Sequence, residues 1–238
     1  MMTRETAETY LNDGLLTVFI EPGDQALMLD VNDCCLYTQL AAAKQFSKFT
    51  QYRDWQDTLV KALAAFGWIR LDLVDEPLTQ RDSVVISEVL GQLLPDALSG
   101  WHADKLDGFL ASLLTASDNK ASRAIIEQCV KVTPGQLASD WGSPNEPKSS
   151  TSVVLQIAFV LPSREMVHVC MAYQTLETLE VNPFAQRLNT QQLVGDLKTL
   201  VFVGLLDDVR YAQFRKKIGV ALAEKRAQLS FQIVGQQP

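Results

Sequence analysis

His168 and Cys170 come nearest in this chain to a reactive pair. A thiol beside an imidazole is the raw material of a thiolate nucleophile. Both fall in a run that reads as a strand, Met166 to Gln174, so a spacing of two puts them on one sheet face. Strand neighbours of this kind hold their side chains roughly parallel, which keeps sulfur and ring nitrogen apart unless another element intervenes. The pair is the best catalytic candidate, and the plainer reading of His168 is a half-buried or core histidine.

Other groups are weaker still. Cys34 and Cys35 are adjacent and could take a redox change or an acyl chain. Their neighbours suggest instead that at least one thiol points into the core. Asp72, Asp75 and Glu76 follow a strand and precede Pro77, the setting of a solvated loop more than of a cation site. His102 lies five residues from Asp107 and two from Asp104, spacings that do not share a helix face. Arg210, Arg215, Lys216 and Lys217 form a basic group on the last helix, suited to phosphate headgroups or to an acidic partner. No phosphate loop, dinucleotide fingerprint, zinc-protease helix, calcium loop or nucleophile elbow occurs. No metal and no cofactor is expected.

The totals narrow the field. The chain has 238 residues, 47% of them hydrophobic and 21% charged, as in an ordinary globular protein. Net charge is −7 and uneven. Residues 1–150 hold 12 Lys+Arg against 21 Asp+Glu, a balance of −9, and residues 151–238 hold 9 against 7, a balance of +2. An acidic field speaks against general nucleic-acid binding. No apolar run approaches the ~18 residues of a membrane span. The first twenty residues carry Arg4, Glu5, Glu8 and Asp13, unlike a cleaved secretory signal. The four cysteines form no C-x-x-C pair and suit reduced, buried thiols in a cytoplasmic protein. A signal-less export route stays open.

The elements that must position these groups can be read in order. Thr3–Asn12 reads as a short helix stopped by Asp13-Gly14, and Leu15–Glu21 as a strand closed by Pro22-Gly23. Helical stripes follow from about Asn32, and again through Tyr52, Trp55, Leu59, Leu63 and Phe66, with Gly67 as C-cap. Trp68–Val74 alternates like a strand. Thr79–Asp82 resembles a capping box, opening a helix that Pro95 ends. Two more helices carry Leu106 to Leu114 and Ile125 to Val130. Ser152–Gln174 reads as a hairpin around Pro162-Ser-Arg-Glu165, and its first run is apolar on both faces. Such a strand has to be covered on both sides. A strand around Thr199–Val203, a helix from Asp207-Asp208 and a closing strand Leu229–Val234 complete the pattern.

The fold expected is α+β. A helical N-terminal part, residues 1–134 with two short strands, precedes a linker or long surface loop at 135–151. Residues 152–238 then carry most of a small, mostly antiparallel sheet in the order β-β-(β)-α-β. One compact unit is favoured over two domains. The expected function is non-enzymatic: an adaptor or chaperone-like protein with a protein partner. The alternatives are an exported effector-like or lipid- and membrane-associated protein, and an enzyme with dispersed catalytic residues. Nothing in the sequence speaks to oligomeric state.

Overall fold

The computed structural model describes residues 7–75, 82–98, 106, 108–110, 119–134, 149–179 and 183–233. The readings of Glu76, of the Thr79–Arg81 cap, of His102 and of Leu113–Leu114 fall outside these residues, as does most of the 135–151 loop.

Ten strands are described: β1 Ala7–Asn12, β2 Leu15–Ile20, β3 Trp68–Val74, β4 Ser83–Val85, β5 Val130–Thr133, β6 Ser150–Val160, β7 Glu165–Thr175, β8 Arg187–Asn189, β9 Lys198–Leu206 and β10 Ser230–Ile233. The principal helices are α1 Gln25–Ala43, α2 Tyr52–Ala65, α3 Ile86–Leu93, α4 Asn119–Cys129 and α5 Asp208–Leu229. Eight strands form one mixed sheet in the order β10-β1-β2-β6-β7-β9-β3. The eighth, β5, pairs with the first residues of β6 on the edge that β2 occupies further along. The β2–β6 pairing is parallel and the other pairings of this sheet are antiparallel. β4 and β8 make a separate two-stranded ribbon.

This overturns the expectation of a helical N-terminal part with a small C-terminal sheet. The sheet dominates, and four of its eight strands come from before residue 134. The segment read as an opening helix is β1. Its Thr9 and Leu11 face inward on the period of two that marks a strand. Asp13-Gly14 is not a helix stop but the two-residue turn of a hairpin, with Asn12 paired to Leu15. Asp13 and Gly14 have φ of 50° and 90°, the positive pair that Asp-Gly supplies in such turns. The closing strand β10 pairs with β1, so both ends of the described chain meet in one sheet.

The central hairpin sorts its side chains as its alternation requires. Val153, Leu155, Ile157 and Phe159 enter one core with α3, α4 and Leu106 and Leu110. Val154, Ala158 and Val160 enter a second core under α1, α2 and α5. Helices therefore cover both faces of the sheet. The hairpin turns through Arg164, which takes φ of 70°.

α1 begins at Gln25, well before the stripe that starts at Asn32. Asp24 caps it, accepting from the Ala26 and Leu27 amides at 3.0 Å each. Twelve of its nineteen residues are buried, polar ones among them, so no single apolar stripe marks its first turns. A polar cluster pins it to the sheet. Asn12 donates to Asn32 at 2.7 Å and to Thr17 at 3.0 Å, and Gln156 donates to Gln39 at 2.9 Å.

Candidate functional site: the outer face of the last helix

α5 starts where β9 ends. Asp207 accepts from the Arg210 amide at 3.0 Å, a side-chain cap. The helix then runs back along α1 to β10. Its inner stripe is narrow: Tyr211, Ile218 and Leu222 are fully buried, with Phe214 and Leu229 packed beside them. Spacings of seven and four place these on one side. Between residues 208 and 229 there are six basic residues against two acidic ones.

Those charges fall into two groups. Arg215 reaches Asp30 of α1 through both Nε (2.8 Å to Oδ1) and a terminal nitrogen (2.6 Å to Oδ2). Arg226 makes the matching fork to Asp33, with Nε 2.8 Å from Oδ1. Both carboxylates are buried, and both guanidinium groups are less than half exposed. Planar bidentate pairs of this kind are the strong form of ion pair. Hydrogen bonds to Asp30 hold Arg215 well above the ordinary arginine range. At the start of the helix Asp208 links Arg215 at 3.1 Å to Arg164 of the β6–β7 turn, also at 3.1 Å. The hydrogen bond from Arg164 pulls Asp208 below the usual carboxylate range, and Arg215 adds to the effect.

The remaining basic residues face solvent. Arg210, Lys216, Lys217 and Lys225 are exposed and make no ion pair among the described residues. Val209 and Val220 lie with Lys216 at spacings of seven and four, opposite the buried stripe, and are 79% and 72% exposed. The outer side thus carries two bare valines, Lys216 between them, Arg210 and Lys217 on the flank with exposed Glu224, and exposed Ala223 and Ala227 in the valine row. Of the four basic residues singled out in the sequence, Lys216 lies in the valine row and Arg210 and Lys217, seven apart, flank it. Arg215 is occupied by Asp30 and Asp208. The signal that separates it was Asp30, a carboxylate 185 residues away in the chain.

The other candidates sit elsewhere. His168 and Cys170 share the sheet face toward α1 and α2, both buried. Burial raises the Cys170 thiol to about 12 and lowers His168 to about 4. Tyr52 donates to the Cys170 sulfur at 3.3 Å. At neutral pH the thiol keeps its proton and the imidazole is neutral, whereas nucleophilic attack needs the thiolate. Cys34 and Cys35 belong to α1 and are both buried, and burial pushes Cys34 to about 12. Cys35 lies 3.9 Å from the Met166 sulfur. Asp72 accepts from the Leu73 amide, and Asp75 meets exposed Arg53 at 3.6 Å. Among the described residues no three His, Cys, Asp or Glu side chains converge as a metal site, and no helix is long and apolar enough to cross a membrane.

No protein-family description and no curated protein matches the chain. Loose structural likeness is found to several solved structures, three of them as follows. The Evf virulence factor aligns over 90% of this chain and 82% of its own, at 12% identity and a TM-score of 0.42. A delta-endotoxin aligns over 87% of this chain and 86% of its own, at 11% identity and a TM-score of 0.40. The activated Cyt2Ba monomer from Bacillus thuringiensis subsp. israelensis aligns over 81% of this chain and 97% of its own, at 9% identity and a TM-score of 0.42. These values are too low to assign this chain a function.

Proposed function

We propose that the protein associates peripherally with anionic lipid surfaces through the outer face of α5. One observation carries this reading: Arg210, Lys216 and Lys217 are free and exposed beside bare Val209 and Val220, while Arg215 and Arg226 of the same helix are tied to α1. Val209 and Val220 are the most exposed large hydrophobic residues among those described, and they share one helix row with Lys216. A lipid surface uses both kinds of group. Headgroup phosphates attract the cations, at about 1 kcal/mol per basic residue near the surface. The valines add a little apolar contact at the headgroup boundary. The contact is shallow and electrostatic, because the large apolar residues of α5 point into the core.

The test is co-sedimentation with vesicles of phosphatidylcholine alone or with phosphatidylserine added. The protein is expected to pellet with the anionic vesicles and not with neutral ones. Reversing Lys216 and Lys217 to Glu removes two attractions and adds two repulsions, and binding is expected to fall by at least about 30-fold. Equal pelleting of wild type and the double reversal, or no pelleting with either vesicle, would overturn the reading. In the second case an acidic protein partner becomes the better occupant of this face.

A further inference from the structure

A second cationic feature lies away from α5. A cleft of about 210 Å³ opens between the α1–α2 connection, the first residues of β6, the last of β7 and the Val194–Asp196 turn before β9. Its polar lining includes Lys48, Thr50, Ser152, Gln174, Asp196 and Lys198. The two lysines are held differently. Lys48 donates to the Asp13 carbonyl at 2.9 Å, which fixes its ammonium. Lys198 is exposed, and its Nζ stands 5.8 Å from the centre of the Tyr52 ring. That cation–π contact keeps it near the cleft while leaving its three protons free.

A third positive contribution comes from the backbone. Gln51 at the N-cap of α2 makes no side-chain capping bond, and Asp54 stands in the first turn. Thr50 and Tyr52, on either side of that cap, both line the opening. Lys198, Lys48 and the hydroxyl residues Thr50 and Ser152 thus line a small space beside the start of α2, with Asp196 the one carboxylate in the lining.

We infer that this cleft binds a small phosphate-class anion, such as inorganic phosphate or a simple phosphate monoester. Lys198 and the first turn of α2 contact the anion, Lys48 adds its field, and the hydroxyls of Thr50 and Ser152 supply neutral donors. The proposal does not rest on the lipid-surface reading, since α5 contributes nothing to the cleft.

The test is an amide NMR titration of the full chain with inorganic phosphate at constant ionic strength. Saturable shifts are expected at Thr50 and Gly195. Lys198→Ala, which removes an exposed side chain and its contact with the Tyr52 ring, is expected to raise the phosphate needed for half-saturation at least about tenfold, since charge-assisted bonds are the strong ones. Asp196→Asn is expected to lower it. Lys216→Glu with Lys217→Glu is expected to leave the titration unchanged. Shifts that never saturate, or that are the same in Lys198→Ala, would overturn the cleft as an anion site. So would loss of saturation in the α5 double reversal. A last arm finds the source of the phosphate. If saturating phosphate displaces the protein from phosphatidic acid vesicles, and Lys198→Ala weakens that vesicle binding, the cleft takes a lipid headgroup. If vesicle binding ignores both changes while the NMR site persists, the cleft takes a soluble phosphate.

Discussion

At the scale of single residues, burial decides more than residue type. His168 is buried, its Nε2 has no partner among the described residues, and burial lowers its pKa from the ordinary 6.5 to about 4. Protonation is thus easier in the unfolded chain, so the histidine costs stability as pH falls from about 6.5 toward 4 and costs nothing above it. The span between the two values converts to roughly 3 kcal/mol. Urea unfolding at pH 7 and pH 4.5 is expected to show a smaller acid loss for His168→Leu than for the wild type, by about 2–3 kcal/mol. An equal loss in both proteins would mean that the imidazole reaches water. The four cysteines follow the same logic. Cys34, Cys35, Cys129 and Cys170 are all buried, and burial raises the thiols of each. Iodoacetamide at pH 8 is expected to label none of them in the folded protein and all four in denaturant, counted by mass spectrometry. The chemistry of these residues was legible from their letters. Their protonation was not, because it depends on α1 and α2 closing over the sheet.

At the scale of elements, local signals succeeded where one face meets one environment. The two-sided apolar run Val153–Val160 announced a strand covered on both faces, and its odd and even residues do enter different cores. α2, with a clear outer face, showed its stripe, and Gly67 follows its C-cap at a φ of +103°. A methyl group there would sit 3.1 Å from the Tyr211 amide and in a strained backbone conformation. Gly67→Ala is expected to cost about 1–2 kcal/mol in urea unfolding. α1 was misread at its start because it is buried on most sides, and β1 because six residues before a turn give the period little room. The two carboxylates of α1 hold α5 in place. Asp30→Ala is expected to destabilise by about 1–3 kcal/mol, the range for hydrogen bonds to charged groups. A double-mutant cycle with Arg215→Ala should recover most of that as coupling. A coupling near zero would show that the pair is a surface ornament and that α5 is held by its apolar stripe alone.

At the scale of the whole molecule, the sheet joins parts of the chain that local patterns cannot connect. β10 pairs with β1 over more than 200 residues, and β2 lies parallel to β6 only because α1, α2 and the segments after them intervene. A period of two marks a strand and says nothing about its neighbour, so the expectation of a small C-terminal sheet undercounted it. The candidate site was partly legible for the same reason. Its cations were visible as a group, yet only the pairing of Asp30 and Asp33 with Arg215 and Arg226 shows which cations remain free. The acidic residues concentrate before residue 150, while α5 carries its own positive excess. Attraction to an anionic surface should therefore be local, and it should weaken as salt shortens the screening length to about 3 Å near 1 M.

The most direct measurement places a reporter on that face. Because the native thiols are buried, a cysteine introduced at Val220 can be labelled selectively with an environment-sensitive nitrobenzoxadiazole dye. Val132, 61% exposed on β5, serves as the control position. On adding phosphatidylserine-containing vesicles, the dye at 220 is expected to shift to the blue and brighten, the dye at 132 to stay unchanged, and about 0.5 M salt to reverse the change. No response at 220, or an equal response at 132 or with neutral vesicles, would contradict the claim that the outer face of α5 meets anionic lipid.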